Sequence, residues 1–418
     1  MARFPKIRYL LLALIVLAYL AYAWEYIRQT SFEIDGQRYY VLFDDAMISM
    51  RYAKNLAQGD GLVWNPGGER VEGYSNPLWV VWMTLLHFLP LPASQVSLAV
   101  QVSGAALMAV GLLFVQLVAD ELGAPAWVGL AAAALTAFYT PLHNWALQGM
   151  EVSALAPITL IAAWQALRVA RSGRFSAGLY ILLGAATLVR IDMAVVFAAV
   201  LAFLLLADAP NRKAHLLWGL GSLAVFMGGQ TLWRLAYYGE ALPNTYYLKV
   251  TGVPLWFRVA HGAYVFWQFV WSTNVLLYLL PVALLPAWRD WRAFFLVGVF
   301  LAFSAYSIYV GGDAWEHRGG ANRFIAVAMP LFFVAFTYTV ERLRAALAKD
   351  RPAWAGAALL LLALAGVGLS AYNFNTMLGA NWLQRWTLRR QPLFVSGTER
   401  YTRMGLTLKQ ITAPGASI

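Results

Sequence analysis

Leu10-Leu11-Leu12-Ala13-Leu14-Ile15-Val16-Leu17-Ala18-Tyr19-Leu20-Ala21-Tyr22-Ala23 is an uncharged apolar run, preceded by Arg3, Lys6 and Arg8 and continued at once by Trp24, Glu25 and Tyr26. A helix of this composition suits a hydrocarbon layer roughly 30 Å thick, and basic residues on its near side keep that side in the cytoplasm. The run has the outline of a secretory signal, but no small-residue cleavage site separates it from Trp24 and the loop beyond. It therefore reads as a retained signal anchor. Similar runs recur to the end of the chain. Of 418 residues, 61% are hydrophobic and 12% charged, against about a quarter charged in an average soluble domain. The expected fold class is an all-α integral membrane protein with no large soluble domain.

The formal charge of +11 does not mark a nucleic-acid binder. Its basic residues sit in short clusters between apolar runs, where the positive-inside rule places them. The absence of cysteine excludes disulfides and thiolate chemistry and leaves the redox compartment open. If the N-terminus is cytoplasmic, residues 25 to 75 form a large first outer loop, with eight acids against five bases. Four later clusters should then be cytoplasmic: Arg168, Arg171 and Arg174; Arg212, Lys213 and His215; Arg289 and Arg292; and Arg342, Arg344, Lys349 and Arg351. One threading satisfies all four. It places helices near 97–119, 125–141, 152–170, 177–190, 192–208, 214–238, 263–287, 291–310, 323–343 and 353–371. With the first, that makes about eleven crossings and puts the C-terminal tail outside. Asn76 to Leu91 is apolar too, but as a full crossing it would reverse every later cluster. It is expected to lie in, or dip into, the outer leaflet. The module spans residues 1–372, and residues 373–418 form a short outer tail.

The outer loops collect the residues with chemistry. The first contains Phe43-Asp44-Asp45-Ala46, an amphipathic stretch with Arg51 and Lys54, and Gly59-Asp60-Gly61. It closes on Arg70-Val71-Glu72-Gly73-Tyr74-Ser75-Asn76-Pro77-Leu78-Trp79. Adjacent carboxylates repel unless they have different tasks or share a cation. Transfer of a glycosyl group to a hydroxyl needs one carboxylate to take the proton and a second group to orient the acceptor. Asp44 and Asp45 suit those roles; they equally suit the N-terminus of a helix. Glu151, in Gly149-Met150-Glu151, reads as a helix cap or a site carboxylate. Arg190 falls at the tip of a helical hairpin, where an ionisable group is costly and usually functional, and Asp192 offers it a local ion pair. In Pro243-Asn244-Thr245-Tyr246-Tyr247-Leu248-Lys249, Asn244 and Lys249 point to a site, and the tyrosines suit a site or an interfacial belt. The last outer loop carries Asp313, His317, Arg318 and Arg323. Guanidinium forks match a phosphate leaving group, with surface charge the plainer reading for Arg318. There is no His/Cys metal signature and no Walker loop.

The string Asp44-Asp45-Ala-x-Ile-Ser-x-Arg-Tyr-Ala-x-Asn-Leu-Ala-x-Gly-x-Gly-Leu-Val-Trp-Asn-Pro-Gly, and after it Val-Glu-Gly-Tyr-Ser-Asn-Pro-Leu-Trp, resembles the first outer loop of AftB-type bacterial arabinofuranosyltransferases. These belong to the GT-C superfamily of membrane glycosyltransferases. The likeness continues in Gly149-Met150-Glu151, Leu188-Val189-Arg190-Ile191-Asp192, Leu242-Pro243-Asn244-Thr245-Tyr246 and Gly312-Asp313. It implies a GT-C-type bundle and an inverting transferase on the outer face of a bacterial inner membrane. The donor would be a polyprenyl-phosphate sugar, with D-arabinofuranose the sugar.

By that resemblance Asp44 is the base, with Asp45 beside it. Arg190, Lys249, Arg318, Arg323 and His317 hold the donor phosphate, while Glu151, Tyr74, Asn76, Trp79, Asn244, Tyr246 and Asp313 contact substrate. The family commonly carries a soluble domain after its last helix, and here the short tail is expected to be a truncated or vestigial one. The implied partners are membrane lipids, the lipid-linked donor, and a glycan or protein acceptor, with no nucleic acid and the chain a monomer. No metal is obligatory, although Asp44 and Asp45 leave room for a divalent cation. A lipid-sugar flippase without transfer chemistry is the alternative; it would place ionisable residues near the bilayer middle and show repeat symmetry. Here they crowd the outer rim, and no internal repeat is evident.

Overall fold

The computed structural model describes residues 5–273, 275–313, 322–350, 353–377, 384, 386–392 and 395–412. Among them the chain is helical apart from one hairpin, β1 (Phe32–Ile34) and β2 (Gln37–Tyr39), paired antiparallel. The helices relevant to the site are α1 (Pro5–Thr30), α2 (Asp44–Ala57), α3 (Pro77–His87), α4 (Val96–Glu121), α5 (Ala126–Ala137), α6 (Thr140–Ala146), α7 (Val152–Ser172), α8 (Ala177–Val189) and α9 (Met193–Ala207). Next come α10 (Arg212–Leu223), continued by a π-turn at Ala224–Gly228 into α11 (Gly229–Tyr238), then α12 (Asn244–Val250), α13 (Leu255–Thr273), α14 (Val275–Ala287), α15 (Trp291–Val310), α16 (Arg323–Asp350) and α17 (Ala353–Met377).

Among the described residues five helices are long and apolar enough to cross a membrane: Ile7–Thr30, Val96–Glu121, Val152–Ser172, Trp291–Val310 and Arg323–Leu347. The count rises to six if Met193–Ala207 and Ala209–Tyr238, bent by 112°, form one span. Each expected segment holds helix, although 125–141 is broken at Phe138 and Tyr139 between α5 and α6, and eleven full crossings are not reached by length. α5, α8 and α9 have 12, 13 and 15 residues, about 18–23 Å at 1.5 Å per residue. Two boundaries also differ from expectation. α1 continues to Thr30, six residues into the expected loop. The segment expected at 263–287 is described as two helices, one ending at Thr273 and the next starting at Val275. α3, with 11 residues, covers only about half of the hydrocarbon layer.

Side-chain contacts sort the loops into two ends. Arg8 bonds Asp120 at 3.0 Å and Arg171 bonds Glu121 at 3.1 Å. Asn211 donates to the Gly173 carbonyl, Trp127 to Glu341, and Arg342 to Asp290. The start of α1 and the described residues of the four basic clusters thus share one end of the bundle. The start of α4 lies at the other end, where Gln101 donates to Thr30 and to the carbonyl of Leu147. α16 packs on α15, α5 and α17 and is the most enclosed of the long apolar helices.

The first loop is fastened by residues of its own motif. α2 buries Ala46, Ser49, Met50 and Ala53 along one face, the spacing of an amphipathic helix. From that helix Asn55 donates to the carbonyls of Val63 and Trp64, Arg51 to Trp64, and Tyr52 to Val71. The irregular segment between α2 and α3 therefore has partners for its backbone.

Where the loop meets the bundle, Phe43 N–H bonds the Gln148 carbonyl at 2.9 Å and Trp79 Nε1 bonds the Gly149 carbonyl at 3.0 Å. Gly149 has φ +85°, and a Cβ there would stand 2.7 Å from Leu42 Cδ2. Gly149→Ala should therefore destabilise the protein by about 1–3 kcal/mol, read as a lower melting temperature in detergent; an unchanged one would show that the turn tolerates a side chain.

Candidate active site

Phe43 is extended, with its ring edge-on to Trp145 at 5.1 Å, and α2 starts at the next residue. Both aspartates therefore fall in the first helical turn, where the dipole favours negative charge. Their surroundings differ. Asp45 Oδ2 accepts from Arg323 Nη1 at 2.7 Å. The same arginine lies over the Trp145 ring at 5.6 Å and holds buried Asp313, through its backbone N–H at 2.9 Å and Nε at 3.5 Å. Asp44 Oδ1 accepts the backbone N–H of Asp45 at 2.9 Å, a local capping bond, and among the described residues no cation bonds it. Partial burial pushes the Asp44 carboxyl above its ordinary value, and the charge of Asp45 adds to this, while Arg323 opposes it.

Arg190 ends α8 with extended backbone. Nε and Nη2 each bond a carboxylate oxygen of Asp192 at 2.7 Å, and Nη1 bonds Glu151 at 3.0 Å. The second Glu151 oxygen accepts from Asn76 Nδ2 at 2.9 Å, and Asn76 Oδ1 accepts from Ser49 at 3.0 Å. All five side chains are buried. The expected Arg190–Asp192 ion pair is present, and it is one half of a three-residue ionic cluster. Phe324 joins the two groups: the Arg190 guanidinium lies 5.4 Å from its ring centroid, that of Arg323 at 5.8 Å, and the Tyr306 ring stands edge-on at 5.4 Å.

Asp45, Arg323 and Asp313 thus meet, as do Arg190, Glu151 and Asn76, with Trp79 on the adjoining Gly149 turn. Other candidates lie apart from these groups. Tyr74 OH bonds Tyr238 OH at 3.0 Å, in an aromatic cluster with Tyr52. Asn244 reaches the first loop through its backbone N–H, on the Glu72 carbonyl, and Tyr246 is exposed against Tyr247. His317, Arg318 and the side chain of Lys249 lie outside the described residues. Sequence reading passed over Trp145, Phe324 and Tyr306, the aromatic frame of the arginines. It also passed over the buried ion pair between Arg234 Nε and Glu72, at 2.8 Å and 3.0 Å. Trp145 had a signal, lying in the stretch before Glu151; Arg234 had one only as a cation within an apolar segment.

The described part of the site holds five carboxylates (Asp44, Asp45, Glu151, Asp192 and Asp313) against two guanidiniums (Arg190 and Arg323). Of the three arginines expected to hold a phosphate, the two that are described, Arg190 and Arg323, are first of all bonded to acids. Among the described residues no three His, Cys, Asp or Glu side chains group as metal ligands.

No family model matches the chain. The terminal beta-(1->2)-arabinofuranosyltransferase of Mycobacterium tuberculosis is 26% identical over 233 residues, covering 51% of this chain and 35% of that protein. The chain thus spans about a third of the length of that relative. The crystal structure of ArnT from Cupriavidus metallidurans in the apo state superposes with a TM-score of 0.50 at 14% identity, covering 80% of this chain and 61% of that one.

Proposed function

We propose, from the premise that the chain has the GT-C membrane glycosyltransferase fold and a mycobacterial arabinofuranosyltransferase among its relatives, that it transfers a sugar from a polyprenyl-phosphate donor. The acceptor is a hydroxyl of a cell-envelope glycan, a lipid-linked glycan or a surface protein. The end of the bundle opposite the basic clusters faces the periplasm. The sugar is D-arabinofuranose, on the strength of the relative's name. The acceptor oxygen attacks the anomeric carbon and its proton passes to Asp44. The bond from that carbon to the phosphate oxygen breaks, and polyprenyl phosphate leaves as the anion.

One observation carries this reading: the paired aspartates are unequal. Asp45 is engaged by Arg323, which suits it as a fixed partner for an acceptor hydroxyl. Among the described residues no cation bonds Asp44, and its raised pKa makes it the better base. We assign the donor phosphate to Lys249, His317 and Arg318, assisted by the N–H groups of Arg190 and Arg323 that their acids leave free; the excess of acid over base in the described site supports this reading. No metal is needed in this scheme.

The test is transfer by purified protein from a synthetic polyprenyl-phosphoarabinofuranose, with kcat/KM measured against pH. A base works only when deprotonated, so activity should be full above the pKa of Asp44 and fall about tenfold per unit below it. Because that pKa is raised, the acid limb should lie above the ordinary aspartate value of about 3.9. A rate independent of pH down to that value would remove Asp44 as the base. Absence of transfer from every polyprenyl-phosphate sugar tried would remove the reaction.

A further inference from the structure

Arg234 and Gln230 lie one turn apart on α11, directly after the π-turn Ala224–Gly228. Residues at this spacing share a helix face, and these two are buried at 1% and 6% exposure, while Leu232 and Leu235 on the same helix are open at 68% and 46%. The helix thus turns its apolar side chains outward and its polar ones inward. A buried ionisable group on an apolar segment is costly and by default functional, and π-turns recur at functional sites.

The bonding of Arg234 is unusual. A guanidinium normally meets a carboxylate through two nitrogens. Here both bonds to Glu72 run from Nε, at 2.8 Å and 3.0 Å, and among the described residues the buried Nη2 has no partner. The buried Nε2 of Gln230 has none either. Leaving such donors unmade costs stability, and folds seldom do so without a use for them. Glu72 cancels the charge of Arg234, so what remains is an electrically neutral pair of N–H donors, suited to hydroxyl and ether oxygens and poorly suited to a bare anion. Glu72 and Asn76 are four positions apart in the non-helical segment that closes the first loop, at most about 14 Å. Asn76 bonds Glu151 in the ionic cluster, so the unpaired donors lie within reach of a short oligosaccharide whose terminal hydroxyl sits at the site.

We infer that Arg234 and Gln230 form a subsite that binds the neutral acceptor glycan behind its reacting hydroxyl; this rests on the transferase reading above. The test measures the Kd of an octyl arabinofuranoside disaccharide, without donor, for wild type, Gln230→Met and Arg234→Lys in detergent, together with melting temperatures. Gln230→Met removes an unpartnered buried donor, so its melting temperature should hold or rise while Kd rises about threefold to tenfold. Arg234→Lys keeps a cation opposite Glu72 and removes the Nη donors, and Kd should rise about tenfold. Unchanged Kd in both variants, or a lower melting temperature for Gln230→Met with unchanged Kd, would overturn the subsite by showing Gln230 to be bonded within the fold. A wild type that binds no disaccharide would overturn it as well. Disaccharide binding that is lost in the variants, in a protein that transfers no sugar, would sustain the subsite and sink the transferase reading.

Discussion

Asp44→Asn should lower sugar transfer by about a hundredfold to ten-thousandfold, the usual contribution of a positioned general base, and leave the melting temperature within a degree or two. The asymmetry of the pair sets both halves of this expectation. Asp44 makes one local bond, to the backbone N–H of Asp45, and an asparagine oxygen can accept it equally well. The fold therefore loses little. The reaction loses its proton acceptor, because an amide has no basicity to match a carboxylate whose pKa is raised by burial and by its neighbour. Asp45→Asn is the control: it weakens the bond to Arg323 but keeps the base, and its loss should be the smaller. If the Asp45 variant were inactive and the Asp44 variant active, the roles assigned to the two would have to be exchanged.

Arg190→Met should act in the opposite way, on stability first. Arg190, Glu151 and Asp192 are 6%, 2% and 3% exposed, and removing the cation strands two carboxylates in the interior. Breaking a buried pair by deleting one partner costs about 3–5 kcal/mol, so the variant should unfold well below the wild type in detergent. Adding Glu151→Gln and Asp192→Asn removes the uncompensated charge and should restore much of the lost stability. Activity should remain low in the triple variant, since the proposed function gives Arg190 a part in holding the donor phosphate. Recovery of stability and activity together would mean that the cluster is a fold element with no part in the site.

Much of this site is legible in the sequence because charge inside an apolar chain is rare. Asp44, Asp45, Arg190 and Arg323 stand out, and Asp192 two residues beyond Arg190 announces the ion pair that the structure contains. The partner of Arg323 is another matter. Residues 45 and 323 are 278 positions apart, and nothing local says that the start of α16 meets the start of α2. The aromatic frame is hidden for a different reason. Phe324, Tyr306 and Trp145 do not stand out in a chain with 15% aromatic residues, and only packing shows which rings face a guanidinium. The motif residues Arg51, Tyr52 and Asn55 reverse the lesson: they are conspicuous in the string that carries the resemblance, and they bond loop carbonyls. Helix number is the least readable feature. Apolar composition marks a segment as buried in lipid or protein without fixing its length, and α5, α8 and α9 stop short of a full crossing because the chain turns at Phe138, Arg190 and Asp208.

The central claim is that Asp44 takes a proton from the acceptor while the acceptor displaces the lipid phosphate directly. Its most direct test is the anomeric configuration, by NMR, of the glycoside that purified protein forms from a donor of defined configuration. Direct displacement requires inversion at the anomeric carbon. Retention would mean that Asp44 or Asp45 had attacked that carbon to form a covalent glycosyl-enzyme, and would contradict the account.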